Sequence, residues 1–454
     1  MDLPRLILAT EHRPGRFSPA VLVAAALIQR GYNLRLFVAG RDEEALSALT
    51  VLCGRPVAYL DPWSSGSPAA LRACFQAGAA PGALNLVVGR LGERKEPDAP
   101  FRMDGEAAAV AEALSAPLVP LIYADASSAI TGRTVRAVAD ALRGRALPPV
   151  RAALFVSALN PREYQLLDLE VGRRLPWLTT GYLPRILERE SVPLVELCGE
   201  EQPPRRILPI RAAAAQLQGL EEHVFWPLFG ALARDVPDWA PEPLPVPPIP
   251  SRPQVAVLRH PAFIPSGAGN EALLAALGAK ILPIPLRGGR LPSDPDGICI
   301  PHGLGYLALI ALFENAPLRN DLGRLLLSGR FFLAEGGGAP LTGETVTLPS
   351  RREVRGLSLF PFRGRYGEAV AAPSGVTAQW ASENPLLAKG EVARGVLREE
   401  IDLGIPADRA IFSLSAPDGS GRGWDGSALR RGIATRLRLD LWSCPEPVRR
   451  MLLS

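Results

Sequence analysis

Short, unbroken apolar runs alternate with stretches of helical spacing along the first half of this chain. That alternation constrains the fold more than any other feature. RLILAT (5–10), NLRLFVAG (33–40), LNLVVG (84–89), PLVPLIYADA (117–126), AALFVSAL (152–159) and WLTTGYLP (177–184) have strand length. Between several of them lie Ala- and Leu-rich amphipathic stretches, such as 105–116 and 127–144. Strands apolar on both faces must be covered on both, so the pattern predicts an α/β fold, a parallel sheet with helices on both faces. Ligands of such sheets sit at the carboxyl ends of strands, which directs attention to Thr10, Gly40, Gly89, Asp125 and Asn160.

The run VPDWAPEPLPVPPIPSRP (236–253) has eight prolines, too many to continue a helix or a central strand, and predicts an extended linker. It divides the 454 residues into parts of domain size, 1–235 and 254–454. The second part opens with the same alternation: QVAVLRH (254–260), a helical 270–279, KILPIPL (280–286), DGICIPHG (296–303) and RFFLAEGGG (330–338). Beyond about residue 350 the pattern turns β-rich.

With 47% apolar residues the chain can build full cores. Its net charge of +4 is dispersed, with no basic block interleaved with aromatics, which argues against nucleic acid as a partner. Five scattered cysteines without a C-x-x-C pair fit a reduced, cytoplasmic protein with neither disulfide framework nor zinc site, and no metal centre is expected. The apolar runs fall short of a bilayer span, so no membrane association is expected.

A strand, a loop with a glycine and a basic residue, then an apolar helix is the layout of a phosphate-binding loop, G-x-x-x-x-G-K-[ST]. In ATEHRPGRFSP (9–19) the first glycine position holds Glu11 or His12. Arg16 replaces the lysine, and Phe17 replaces the hydroxyl residue, with Ser18 next to it. No lysine precedes Lys95, so no other register restores the ammonium. A planar guanidinium is not an equivalent point charge, and Pro14 removes an amide donor. Thr10, Gly15, Arg16 and Ser18 are the remains of a nucleotide site.

Five segments, in order, resemble one family: GRPVAYLDPW (54–63), SAPLVPLIYADAS (115–127), GYLPR (181–185), PSDPDGICIPHG (292–303) and ENPLLAKGEVARG (383–395). They look like parts of the cobyrinic acid a,c-diamide synthases, ATP- and glutamine-dependent amidoligases of corrinoid biosynthesis. The resemblance implies two domains. The first is a P-loop-NTPase-like domain of dethiobiotin-synthetase type, over 1–235. The second is a class I glutamine amidotransferase-like α/β domain, over 254–454.

The family's chemistry does not carry over with the fold. Its nucleophile motif A-E-C-G-G is here AEGGG (334–338), which puts Gly336 where the cysteine belongs. Its late H-x-H is here RLRLD (436–440), with Arg438 and Asp440 on the histidine positions, and no histidine follows His302. No thiol and no base remain to attack glutamine. The family uses ATP and magnesium, but this loop lacks the groups that bind them, which leaves the cofactor unknown. Candidate ligand residues are Asp42, Asp61, Asp125, His302 and Gly303. Asp61 either orients a ligand or caps a turn ahead of Pro62, and Asp125 either binds at a strand end or caps the helix from Ser128.

Three functions fit. One is a pseudoenzyme that binds a tetrapyrrole-like ligand or pairs as a homodimer or with an intact synthase paralogue. The second is an amidoligase using externally supplied ammonia, and the third a structural or regulatory protein without small ligand.

Overall fold

The computed structural model describes residues 1–93, 101–124, 127–158, 160–220, 223–292, 294–368, 372–381 and 388–453. The chain forms two compact units. One comprises 1–62, 78–197 and 201–242; the other comprises 63–77, 198–200 and 243–454.

The first unit is built on seven parallel strands: β1 (Arg5–His12), β2 (Leu34–Ala39), β3 (Ala58–Leu60), β4 (Leu84–Glu93), β5 (Leu118–Tyr123), β6 (Ala152–Ala158) and β7 (Leu178–Pro184). Their order in the sheet is β3-β2-β4-β1-β5-β6-β7. Every residue of β5 and β6 is buried, as are the first seven of β1, so both faces of the central strands are covered. The helix after β1, α1 (Pro19–Gln29), is buried from Pro19 to Leu27, apolar all round as a helix inside a core must be. α2 (Glu43–Cys53) begins where Asp42 accepts a hydrogen bond from the Ala45 amide at 2.9 Å, a cap worth about 1 kcal/mol. It ends on Gly54 in the left-handed conformation (φ 67°). α3 (Pro68–Gly78) gives all but its last residue to the second unit. α4 (Ala107–Leu114), α5 (Ser128–Leu142) and α6 (Pro161–Gly172) complete the crossovers between β4 and β7.

At the amino edge of this sheet Arg5 is buried to 1% exposure. Its guanidinium donates to the carbonyls of Leu3, Leu114, Ser115 and Pro237 and lies 5.1 Å from the Trp239 ring centroid. Burial lowers its pKa to about 10, so it stays charged at neutral pH. An arginine at the head of an apolar run thus ties the strand to the chain 232 residues on.

The second unit has β8 (Gln254–Arg259), β9 (Lys280–Pro285), β10 (Gly297–Ile300) and β11 (Phe331–Glu335) as parallel neighbours in the order β11-β10-β8-β9. Strand 432–435 extends the sheet beside β11, and 427–429 closes it antiparallel. The β-rich remainder forms a four-stranded sheet and a five-stranded antiparallel one that ends on strand Leu437–Asp440. The proline-rich run is pinned within each unit. Trp239 is buried and exchanges hydrogen bonds with Met1, and Ile249 donates to the Leu277 carbonyl. Among the described residues no helix is long and apolar enough to cross a membrane.

Candidate functional site

In the first unit the carboxyl ends of β1, β2, β4 and β5 meet around the loop that follows β1. A phosphate loop leaves its strand at the first glycine. Here β1 does not leave: after a bulge at Thr10/Glu11 it stays paired with β4 through Glu11–Gly92 and His12–Glu93. The remaining loop, residues 13–18, is zipped onto residues 188–191. The Phe17 amide donates to the Arg189 carbonyl at 2.9 Å, the Ser191 amide donates to the Gly15 carbonyl at 3.0 Å, and Arg16 bridges antiparallel to Glu190. The Arg16 amide donates to Arg13 at 3.1 Å. With Pro14 contributing no amide, the Arg16 and Phe17 amides, the donors a phosphate would need, are spent within the chain.

The side chains follow the same logic. Glu11 is wholly buried. Its carboxylate accepts from the Tyr123 amide at 3.2 Å and from the Arg13 guanidinium at 3.3 Å, and Arg13 lies over the Tyr123 ring at 4.5 Å. Arg16 pairs with Glu188 at 3.6 Å, and Arg90 pairs with Glu93 at 2.7 Å and Asp104 at 3.4 Å. Glu44 fastens the overlying segment by accepting from the Ser191 hydroxyl at 2.8 Å and the Val192 amide at 2.7 Å. Burial raises the Glu44 pKa, and those two hydrogen bonds oppose the rise. Burial lowers the His12 pKa, helped by Arg90 and opposed by Asp42, Glu93 and Asp104, which keeps the imidazole neutral at pH 7.

The cavity that remains is about 50 Å³, lined among others by Thr10, Glu11, Arg13, Arg16, Ser18 and Asp42. That holds a few waters, whereas ligand clefts run to about 300–1,000 Å³. Phe17 is buried against it. These residues do not fit ATP and magnesium. The Arg16 and Phe17 amides are engaged, the space is small, and the buried Glu11 carboxylate lines it. Among the described residues no group of three or more His, Cys, Asp or Glu is placed to hold a metal.

Of the residues expected at this site, Thr10, Arg16, Ser18 and Asp42 line one cavity, and Gly15 turns the loop beside it at φ 73°. Asp61 is buried at 1% exposure and held by Arg41 through two contacts, Nε–Oδ2 at 2.6 Å and Nη2–Oδ1 at 3.4 Å. At Gly40 an added Cβ would meet the Glu106 carboxyl at 2.8 Å. Asp125 lies outside the described residues.

In the second unit, β11 runs straight into Gly336, whose φ of +53° is the left-handed turn of a nucleophile elbow. The seven-residue 3₁₀ turn Gly336–Thr342 follows, every residue buried. A Cβ at Gly336 would stand 2.0 Å from Nδ1 of His302, inside any contact distance. His302, 2% exposed, therefore occupies the volume a nucleophilic side chain would take. Its Nδ1 accepts from the Gly337 amide at 3.2 Å, and the Tyr366 hydroxyl donates to the Gly337 carbonyl at 2.6 Å. The Gly337 N–H, a donor that could stabilise an oxyanion, is thus engaged. Gly303 backs this packing: its carbonyl lies where a Cβ of Gly337 would be, at 1.7 Å.

The two late positions do structural work. Asp440 accepts from Ser64 at 2.7 Å and Ser65 at 3.4 Å. Arg438 neighbours Glu335, a buried carboxyl that accepts from the Leu439 amide at 3.0 Å and the Asn270 amide at 3.3 Å. Burial pushes the Glu335 pKa up to about 7, against the pull of the Leu439 amide, Arg438 and Asn270. Cys444 is buried, and its thiol is pushed up to about 12, chiefly by that burial, far from the reactive range.

Sequence reasoning did not single out Glu11 as a ligand of its own loop, nor Arg13, Glu44, Glu188, Glu335 or Asn270. A charged residue closing an apolar strand was the available signal for Glu11. The others become visible only through long-range pairing.

The fold and these two strand ends define an α/β protein of two units, each with a parallel sheet and a loop or elbow at a strand's carboxyl end. No protein-family model matches the chain. It is similar to the cobyrinate a,c-diamide synthase of Dehalococcoides mccartyi (strain CBDB1), 24% identical over 438 residues, covering 92% of this chain and 90% of that protein. The similarity spans nearly the full length of both proteins and supports the family resemblance. A solved structure, that of chloroplast FtsY from Physcomitrella patens, aligns at TM-score 0.26 and 14% identity, over 47% of this chain and 65% of that one.

Proposed function

We propose that this chain is a diverged relative of cobyrinate a,c-diamide synthase. In this reading it has lost glutamine hydrolysis and ATP-driven ligation, and it serves corrinoid metabolism in the cytoplasm by binding or assembly. One observation carries the reading: the elbow that would hold the nucleophile has Gly336, with His302 Nδ1 2.0 Å from where a Cβ would stand. Support from the first unit is the pairing of its loop cations with internal carboxylates and the small cavity beneath them. The ligand of such a protein would be a tetrapyrrole-like acid, and its partner a second copy of the chain or an intact synthase.

Full-length protein incubated with MgATP, a cobyrinate-like acid and either glutamine or ammonium tests this. The expected result is no glutamate and no phosphate released above blank. Phosphate release with ammonium alone would establish the competing reading, an amidoligase fed ammonia by another protein.

A further inference from the structure

The loop after β1 is closed to nucleotide in the reading above, and the inference here, which rests on that reading, is what closes it. We propose that Glu11 is a built-in anion: its carboxylate occupies the place of a bound phosphate and excludes phosphate from the cavity by charge.

Four observations lead there. Glu11 lies near the carboxyl end of β1, where the loop opens, and its carboxylate turns inward, to zero exposure. Its ligands are a backbone amide from Tyr123 and the Arg13 guanidinium, the donors an oxyanion would recruit. The cavity beside it keeps anion-binding furniture that Glu11 does not use. The start of α1, with Ser18 as an N-cap whose side chain makes no capping bond, lines it. So does Thr10, whose buried hydroxyl makes no hydrogen bond among the described residues. Finally, the lining balances three guanidiniums (Arg13, Arg16, Arg90) against three carboxylates (Glu11, Asp42, Glu44), with His12 neutral. A site with no net charge does not attract a polyanion. Two unit charges about 4 Å apart at the effective dielectric of a partly exposed site repel strongly enough to suppress binding by a hundredfold or more.

Neutralising Glu11 without changing its shape isolates the charge. Titration of full-length wild type, Glu11→Gln and Glu188→Gln with inorganic phosphate, followed by calorimetry, reads the effect, and MgATP titration of wild type reads the parent hypothesis separately. Wild type is expected to bind neither. E11Q is expected to gain saturable phosphate binding at least about tenfold tighter than the wild-type limit. E188Q, which frees only the half-exposed Arg16, is expected to gain less. If E11Q does not fold, any gain by E188Q still supports internal carboxylates as the barrier, and none overturns it. Folded E11Q and E188Q that both ignore phosphate, with wild type also inert, overturn this inference alone. MgATP binding by wild type overturns the parent reading and this one together.

Discussion

The loop after β1 and the elbow after β11 occupy the same kind of place, the carboxyl end of a parallel strand in an α/β sheet. They are closed in different ways. The loop is closed by filling and charge pairing: Glu11, Arg13 and Phe17 fill it, residues 188–191 pair across it, and its cations are met by carboxylates. The elbow is closed by one buried side chain: the imidazole of His302 packs where a side chain at Gly336 would stand. A site closed by charge pairing at a partly wet surface should tolerate substitution. A site closed by a buried side chain packed at contact distance should not, because a core has nowhere to put an extra methyl.

The largest expected effect tests that contrast at the elbow. Gly336→Ala forces a Cβ into His302 and a non-glycine residue into the left-handed region, and a loss of about 4 kcal/mol in urea unfolding is expected. His302→Ala in the same chain removes the ring, whose Nδ1 and Cγ would stand 2.0 and 2.7 Å from the added Cβ, and leaves the Cβ of residue 302 at 2.9 Å. The double-mutant coupling should then recover at least about 1 kcal/mol, leaving the backbone strain. Gly336→Cys will not regain glutamine hydrolysis for the same steric reason. Additive single-mutant costs would show that His302 is not the occupant.

Next in size is Phe17→Ala, expected to cost about 3 kcal/mol by opening a void beside the loop cavity. Equilibrium denaturation measures it. A loss below about 1 kcal/mol would mean that the loop collapses freely, and the contrast between the two strand ends would then be sharper still.

How much of this was legible in the sequence depends on the range of the interactions. The absent thiol at Gly336 needs only one residue identity, and β2, β5, β6, β8 and β11 fall within a few residues of their apolar runs, because burial on both faces is written locally. The extension of β1 to His12 was not legible, since it rests on pairing with Glu93, 81 residues later. Nor was β3: Ala58–Leu60 is too short to show a period. The anchoring of Asp440 by Ser64, across 376 residues, has no local signature at all. Asp61, read as a ligand residue or a turn cap, is found paired with Arg41, a partner 20 residues away on the neighbouring strand end.

A smaller effect, tied to pH, comes from Glu335. Its folded pKa of about 7 lies above the ordinary 4.5, so the folded state holds a proton the unfolded state has released. The contribution of Glu335 to stability is therefore highest below about pH 4.5, falls as pH rises toward 7, and is flat beyond. Glu335→Gln removes that slope. The advantage of the variant over wild type should grow across this window to about 2 kcal/mol at pH 8, below the limit of roughly 3 kcal/mol set by the shift, because the new amide faces the Leu439 donor. Parallel pH profiles of the two proteins would place Glu335 among exposed carboxyls instead.

Arg16→Ala should have the least effect. Arg16 stands where a phosphate loop keeps its lysine, so a working nucleotide site would lose orders of magnitude in affinity with it. Here its guanidinium is 47% exposed and 3.6 Å from Glu188, a pair that solvent screens to well under about 1 kcal/mol. The loop stays fastened without it, because the Phe17–Arg189 and Ser191–Gly15 hydrogen bonds use backbone alone. Unfolding free energy should shift by no more than about 0.5 kcal/mol, and less at high salt. A loss beyond about 2 kcal/mol would mean that Arg16 and Glu188, and not the backbone bridge, hold the loop shut, and the site closed by charge would then be as intolerant as the one closed by packing.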